Sequence, residues 1–128
     1  MAKPTILVLD DEPEILEITA LAFEGQGYEV FTAAGGEEAL TCVKEKHPQV
    51  LLIDYRLKGD MTGLDFLKAA RLVDPGVPAV MITGLSEQVE TLKAECERVG
   101  ISAFFQKPLQ MDAVYDAVKK ALDSAPQG

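Results

Sequence analysis

Five side chains of reactive type each stand directly behind a short apolar run. Asp10 and Asp11 follow Thr5-Ile6-Leu7-Val8-Leu9, and Asp54 follows Val50-Leu51-Leu52-Ile53. Thr83 follows Pro78-Ala79-Val80-Met81-Ile82, and Lys107 follows the run Ile101–Gln106. Three carboxylates brought together repel unless a cation holds them or one takes up a proton. Oxygen donors with waters suit Mg2+, which takes one or two protein carboxylates and shares its other positions with phosphate. A lysine and a hydroxyl beside them supply donors for phosphoryl oxygens. An aspartate can itself be the nucleophile, giving an acyl phosphate, while the metal neutralises charge on the phosphoryl oxygens.

That chemistry requires elements that bring distant residues to one place. The runs named above are near-continuously apolar, as strands buried on both faces are, and Tyr28 to Thr32 reads as a further strand. Between them lie amphipathic stretches. Pro13 suits a first helical turn, and Ile15, Ile18 and Ala22, flanked by Leu16 and Phe23, form a broad apolar stripe that Gly25 and Gly27 stop. Further helices are expected from Gly36 to Lys46, ended by His47-Pro48, and from about Leu64 to Val73. Another runs from an N-cap at Ser86 to Val99, closed by Gly100, and a last one carries Met111, Val114, Val118, Ala121 and Leu122. Five strands alternating with five helices imply an α/β fold, a parallel sheet covered on both faces. Doubly wound is the natural topology, since a closed eight-stranded barrel needs about twice the residues. In such a sheet the strand ends share the carboxyl edge, where open α/β folds place their ligands. Asp10, Asp11, Asp54, Thr83 and Lys107 therefore meet in one crevice.

Composition narrows the classes. A chain of 128 residues with 48% hydrophobic residues fits one packed domain. A net charge of −9, with no Lys/Arg run, argues against direct binding to nucleic acid and for cations or basic partner surfaces. Cys42 and Cys96 lack metal-ligand spacing and read as reduced packing residues. No apolar run approaches the ~18 residues of a membrane span. Met1-Ala2-Lys3-Pro4 lacks a signal peptide's cleavage pattern, so a cytoplasmic location without membrane insertion is expected. His47, before a proline at a helix end, reads as an exposed terminal residue rather than a phosphocarrier. Glu87, Glu90, Glu95 and Glu97 read as a solvated face.

The sequence resembles a response-regulator receiver domain of bacterial two-component signalling. The matching pieces are Val8-Leu9-Asp10-Asp11-Glu12, Leu52-Ile53-Asp54-Tyr55-Arg56-Leu57, Gly63-Leu64-Asp65, Met81-Ile82-Thr83-Gly84 and Phe105-Gln106-Lys107-Pro108. They occur in the family's order and cover nearly the whole chain. The resemblance implies a flavodoxin-like sheet of strand order 2-1-3-4-5, with a receiver domain over residues 1–123, a flexible tail over 124–128 and no output domain within these residues. It implies that Asp54 is the phosphoacceptor, loaded from a sensor histidine kinase, a histidine phosphotransfer protein or a small phosphodonor. Asp11, Asp54 and the Arg56 backbone carbonyl would hold Mg2+, with Asp10 acting through a metal-bound water. Thr83 and Lys107 would bond phosphoryl oxygens, and the Lys107–Pro108 peptide would be cis. Phe104 occupies the position of the family's aromatic switch, which reports Thr83's movement to the surface of the fourth helix, fifth strand and fifth helix for a downstream protein target. The chain would then be no conventional enzyme, catalysing only its own phosphorylation and dephosphorylation.

Two features depart from the family pattern. The loop Leu57-Lys58-Gly59-Asp60-Met61-Thr62-Gly63 has Lys58 where a proline is common and is one residue longer than usual. Arg56 lies where the family tunes dephosphorylation. The competing function is a phosphorylation-independent adaptor with the same fold, against which the full reactive set argues. A small phosphatase with an aspartate nucleophile would carry a second aspartate where Arg56 stands. A flavodoxin-like electron carrier would carry a Ser/Thr-rich phosphate loop after the first strand.

Overall fold

Side chains alternate across a strand, so a strand that is apolar at every position must be covered on both faces. The computed structural model, which describes residues 2–124, meets that requirement with β1 (Thr5–Leu9), α1 (Pro13–Gly25), β2 (Glu29–Ala33), α2 (Gly36–Lys46), β3 (Val50–Asp54), α3 (Gly63–Val73), β4 (Ala79–Thr83), α4 (Val89–Val99), β5 (Ala103–Gln106) and α5 (Met111–Ser124). The strands form one parallel sheet in the order β2-β1-β3-β4-β5. Every residue of β3 and β4 is buried. Leu7, Leu51, Ile53 and Met81 face one layer with Val43 of α2, Phe66 and Leu67 of α3, and Leu92 and Cys96 of α4. Ile6, Val8, Leu52, Val80 and Ile82 face the other, with Phe23 of α1 and Val114 and Val118 of α5. Each fully buried side chain of this kind contributes roughly 1.5–3 kcal/mol, which makes the two layers the main source of stability. No described helix is long and apolar enough to cross a membrane.

The differences from expectation lie at element ends and on one helix face. Tyr28 precedes β2, because its amide is bonded to the Phe23 carbonyl at 3.1 Å and still belongs to the turn after α1. β5 starts at Ala103, opposite Val80, two residues later than the apolar run. Ser86 does not cap α4. The helix begins after Gln88, which is left-handed (φ 57°) and makes no side-chain cap, so Glu87 lies outside it. Ser124 closes α5 rather than opening a tail; residues 125–128 of the expected tail lie outside the described residues.

On α1 the expected stripe is turned outward. Ile15 and Ile18 are 37% and 64% exposed, and Leu21 is 61% exposed, while Leu16 is half-buried and Phe23 fully buried. The rotation is set by Phe23, whose ring stands edge-on to Tyr28 at 5.4 Å and to Tyr115 at 5.2 Å. Among the remaining expectations, His47 is exposed and caps α2 in the left-handed conformation. Cys96 is buried and Cys42 half-buried. Burial, with Glu95 and Glu97 nearby, pushes the Cys96 thiol up to about 11, so it is protonated at neutral pH.

Candidate functional site

The parallel ladder places the ends of β1, β3 and β4 side by side, and the loops after them carry the expected residues to one edge. Asp10 and Asp54 are buried, at 6% and 5% exposure, and Asp11 is half-buried. Oxygens of all three carboxylates lie within 4.8 Å of one another. Asp10 Oδ1 accepts the Glu12 amide at 2.9 Å, and Asp54 Oδ1 accepts the Arg56 amide at 3.1 Å. Both bonds leave the second carboxylate oxygen aimed at the shared space. Lys107 enters from beyond β5, its Nζ 2.9 Å from Asp54 Oδ2 and 3.9 Å from Asp10 Oδ2. The Lys107–Pro108 peptide is cis.

One lysine facing three carboxylates leaves the site short of positive charge. Burial, assisted by Asp54 and opposed by the Glu12 amide and Lys107, pushes the Asp10 carboxyl up to about 6. Burial alone would pull the Lys107 ammonium down, but its bond to Asp54, with Asp10 and Glu12 nearby, outweighs this and holds it above the usual lysine range. Clustered hard oxygen donors with a charge deficit fit a divalent cation of the Mg2+ class.

Thr83 is wholly buried at the end of β4. Its Oγ1 accepts the Leu85 amide at 3.1 Å, and its carbonyl accepts the Lys107 amide at 2.8 Å. The Leu85 carbonyl in turn accepts Gln106 Nε2 at 3.0 Å. These bonds join the loop after β4 to the end of β5. Phe104 is set apart from the carboxylates; it is half-buried and packs with the layer of α2, α3 and α4. A cleft of about 530 Å3 opens over Asp54, lined among others by Asp11, Arg56, Lys58 and Lys107.

Several contributors to the site were assigned no role from sequence, although Gly63 and Asp65 belong to a matching piece. Gly63, at the first position of α3, packs against the end of β3, its amide 2.7 Å from the Tyr55 carbonyl. A Cβ there would meet the Asp54 carbonyl, with the Ile53 side chain at 2.8 Å and Tyr55 Cα at 2.9 Å, so only glycine fits. Thr62 and Asp65 form a reciprocal capping box that fixes the start of α3. The pattern Thr62-Gly63-Leu64-Asp65 carries that signal. The Gln106–Leu85 bond leaves no local sequence signature, since its partners are 21 residues apart.

Comparison with known proteins agrees with this fold. Residues 6–119 match the family model described as the response regulator receiver domain. The chain is 32% identical over 122 residues to the sporulation initiation phosphotransferase F of Bacillus subtilis (strain 168), covering 95% of this chain and 96% of that protein. It is 37% identical over 90 residues to the DNA-binding response regulator MtrA of Mycolicibacterium smegmatis, covering 70% of this chain but only 39% of that protein. A crystal structure of a CheY-like receiver domain protein from Methanospirillum hungatei JF-1 superposes with a TM-score of 0.87 at 30% identity, covering 95% of each chain. The MtrA relative is named as DNA-binding, so the expectation against nucleic acid is not supported for a full-length protein. The acidic charge argues only about these residues and does not extend to longer proteins that contain such a domain. The sheet order, the five motifs in sequence and these matches lead to one assignment: the chain belongs to the response regulator receiver domain family of two-component signalling, whose general function is that of a phosphorylation-dependent switch.

Proposed function

We propose that Asp54 accepts a phosphoryl group from a histidine kinase, a histidine phosphotransfer protein or a small phosphodonor. The altered surface of α4, β5 and α5 then regulates a downstream protein. The observation that carries this reading is the state of the Asp54 carboxylate. It is buried at a strand end, with Oδ2 bonded to Lys107 at 2.9 Å and the oxygens of Asp10 and Asp11 within 4.8 Å. Such a carboxylate is desolvated and held in one orientation, as a nucleophile requires.

Asp11, Asp54 and the Arg56 carbonyl would hold Mg2+, and Asp10 would hold one of its waters. When bound, the ion neutralises charge on the phosphoryl oxygens. The chain's own residues do the rest. Lys107 passes from Asp54 Oδ2 to a phosphoryl oxygen. Among the described residues the Thr83 hydroxyl only accepts, from Leu85, which leaves its proton for a phosphoryl oxygen. Movement of Thr83 disturbs Leu85, and through it Gln106, two residues from Phe104. Phe104 reports by packing, because it has no hydroxyl with which to hold an inward position. The output is a two-state population shift biased by one new dianionic group. Dephosphorylation is likewise a property of the site, with the Arg56 side chain at the cleft shielding the phosphoryl group from water. The same reading places the chain in the cytoplasm.

Incubation with acetyl phosphate and Mg2+, followed by intact-mass measurement, tests the proposal. One phosphoryl group is expected on the wild type and none on Asp54→Asn. Failure with several donors, together with no Mg2+ affinity, would favour the phosphorylation-independent adaptor.

A further inference from the structure

The cleft over Asp54 is lined by side chains of both charges. Asp11 and Glu12 contribute carboxylates from the loop after β1, and Arg56 and Lys58 contribute cations from the loop after β3. Among the described residues, neither Arg56 nor Lys58 lies within 4.0 Å of a carboxylate oxygen. Lys58 also borders a second hollow of about 630 Å3 whose lining includes Glu37, Glu38, Asp60 and Asp65. It is nevertheless paired with none of these acids. An exposed lysine that forms no ion pair among the described residues and lines the nucleophile's cleft is available to a ligand there.

The reaction's stereochemistry says which part of the ligand it would meet. In-line attack puts the leaving group on the side of phosphorus opposite Asp54, towards the mouth of the cleft. Asp54 Oδ2 is bonded to Lys107 and Oδ1 to the Arg56 amide, so the groups nearest the acceptor are already engaged with it. Lys58 is two residues further along the loop.

Resting on the reading of Asp54 as the acceptor, we infer that Lys58 determines phosphodonor specificity by binding the anionic leaving group of a small acyl phosphate. The step balances without a further reactant. An Asp54 oxygen forms the new bond to phosphorus, the bond from phosphorus to the acyl oxygen breaks, and its electron pair leaves as the carboxylate that Lys58 receives. With phosphoramidate the departing group is neutral ammonia, the required proton already being on its nitrogen, so Lys58 has no charge to stabilise.

The experiment compares phosphorylation rates of the full chain with acetyl phosphate and with phosphoramidate, each with Mg2+, by intact mass. Lys58→Ala should lower the acetyl phosphate rate about threefold to fivefold more than the phosphoramidate rate, the size of one exposed charge pair. Lys58→Glu should widen that ratio, Lys58→Arg should restore it, and high salt should shrink it. Equal losses with both donors would assign Lys58 to the loop's conformation and overturn the inference, as would no loss at all. If the wild type took phosphate from neither donor, the acceptor reading itself would fall, and the inference with it.

Discussion

The two edges of the sheet are built from the same strands to opposite effect. At the amino edge, polar groups satisfy one another: Thr5 and Gln49 exchange bonds between amides and side chains, and the Glu29 amide is held by the Pro4 carbonyl. The C-terminus of α4 is closed there by Arg71, which donates to the Val99 and Gly100 carbonyls at 3.3 and 2.7 Å. At the carboxyl edge, three carboxylates cluster and two of them share one lysine, and the N-terminus of α4 has no side-chain cap. One edge closes its hydrogen bonds internally, except at Arg71 Nε. The other leaves carboxylate charge uncompensated, so that a cation and a phosphoryl group have something to complete.

The largest effect should come from the packing that anchors α1 behind the strands. Phe23→Ala removes a ring that is fully buried between Tyr28 and Tyr115 and should cost about 3–5 kcal/mol in urea unfolding. Molecules that remain folded should still be phosphorylated at Asp54. A cost near zero would mean that the edge-on aromatic contacts do not set the rotation of α1.

Next in size is the charge deficit at the carboxyl edge. The Asp10 carboxyl is raised from 3.8 to about 6, so between these values the folded protein holds a proton that the unfolded chain has lost. The stability this gives is present below about pH 4 and lost as pH rises through about 6. In EDTA the loss should be on the order of 2–3 kcal/mol across that window. It should vanish from the pH profile of Asp10→Asn, which should be the more stable protein at neutral pH. Mg2+ should restore the wild type. Identical pH profiles for the two proteins would remove the contrast between the edges.

Arg71 offers a smaller test, because α4 has one end at each edge. Burial lowers the pKa of its guanidinium, and its Nε is buried without a hydrogen-bond partner. Replacement therefore loses two bonds but also relieves an unsatisfied donor. Arg71→Met should cost about 1–2 kcal/mol. Hydrogen exchange should speed up first at the amides near Gly100 rather than those near Val89, and the reverse order would contradict the asymmetry.

What was legible in the sequence follows from how far each determinant acts. β1, β3 and β4 could be read because doubly buried strands are apolar at every position. Their parallel arrangement then brought Asp10, Asp54 and Thr83 to one edge without knowledge of any distance. Strand order came from the family resemblance rather than from periodicity. The face of α1 was not legible, because Ile15, Leu16, Ile18, Leu21, Ala22 and Phe23 wrap most of the helix and the choice among them is made by rings on other elements. Ser86 failed as a cap for a similar reason. Bonds from Leu85 to Thr83 and Gln106 hold that segment as a loop. Nor could the sequence say which aspartate carries the raised pKa, since that depends on burial.

The smallest effect probes the closed edge at a single exposed pair. Thr5 N lies 2.9 Å from Gln49 Oε1, and Gln49 N lies 3.0 Å from Thr5 Oγ1. Both residues are solvent-accessible, so water replaces most of what Gln49→Ala removes, and the cost should be about 0.5–1 kcal/mol. The bonds share partners, so Thr5→Val and Gln49→Ala should cost less together than the sum of the single changes. The sign matters more than the size. Removing a polar group at this edge should destabilise, whereas Asp10→Asn at the other edge should stabilise the metal-free protein. If both changes moved the urea midpoint in the same direction, the division of labour between the edges would be wrong, because it requires that polar groups here already have their partners and that those around Asp54 still await one.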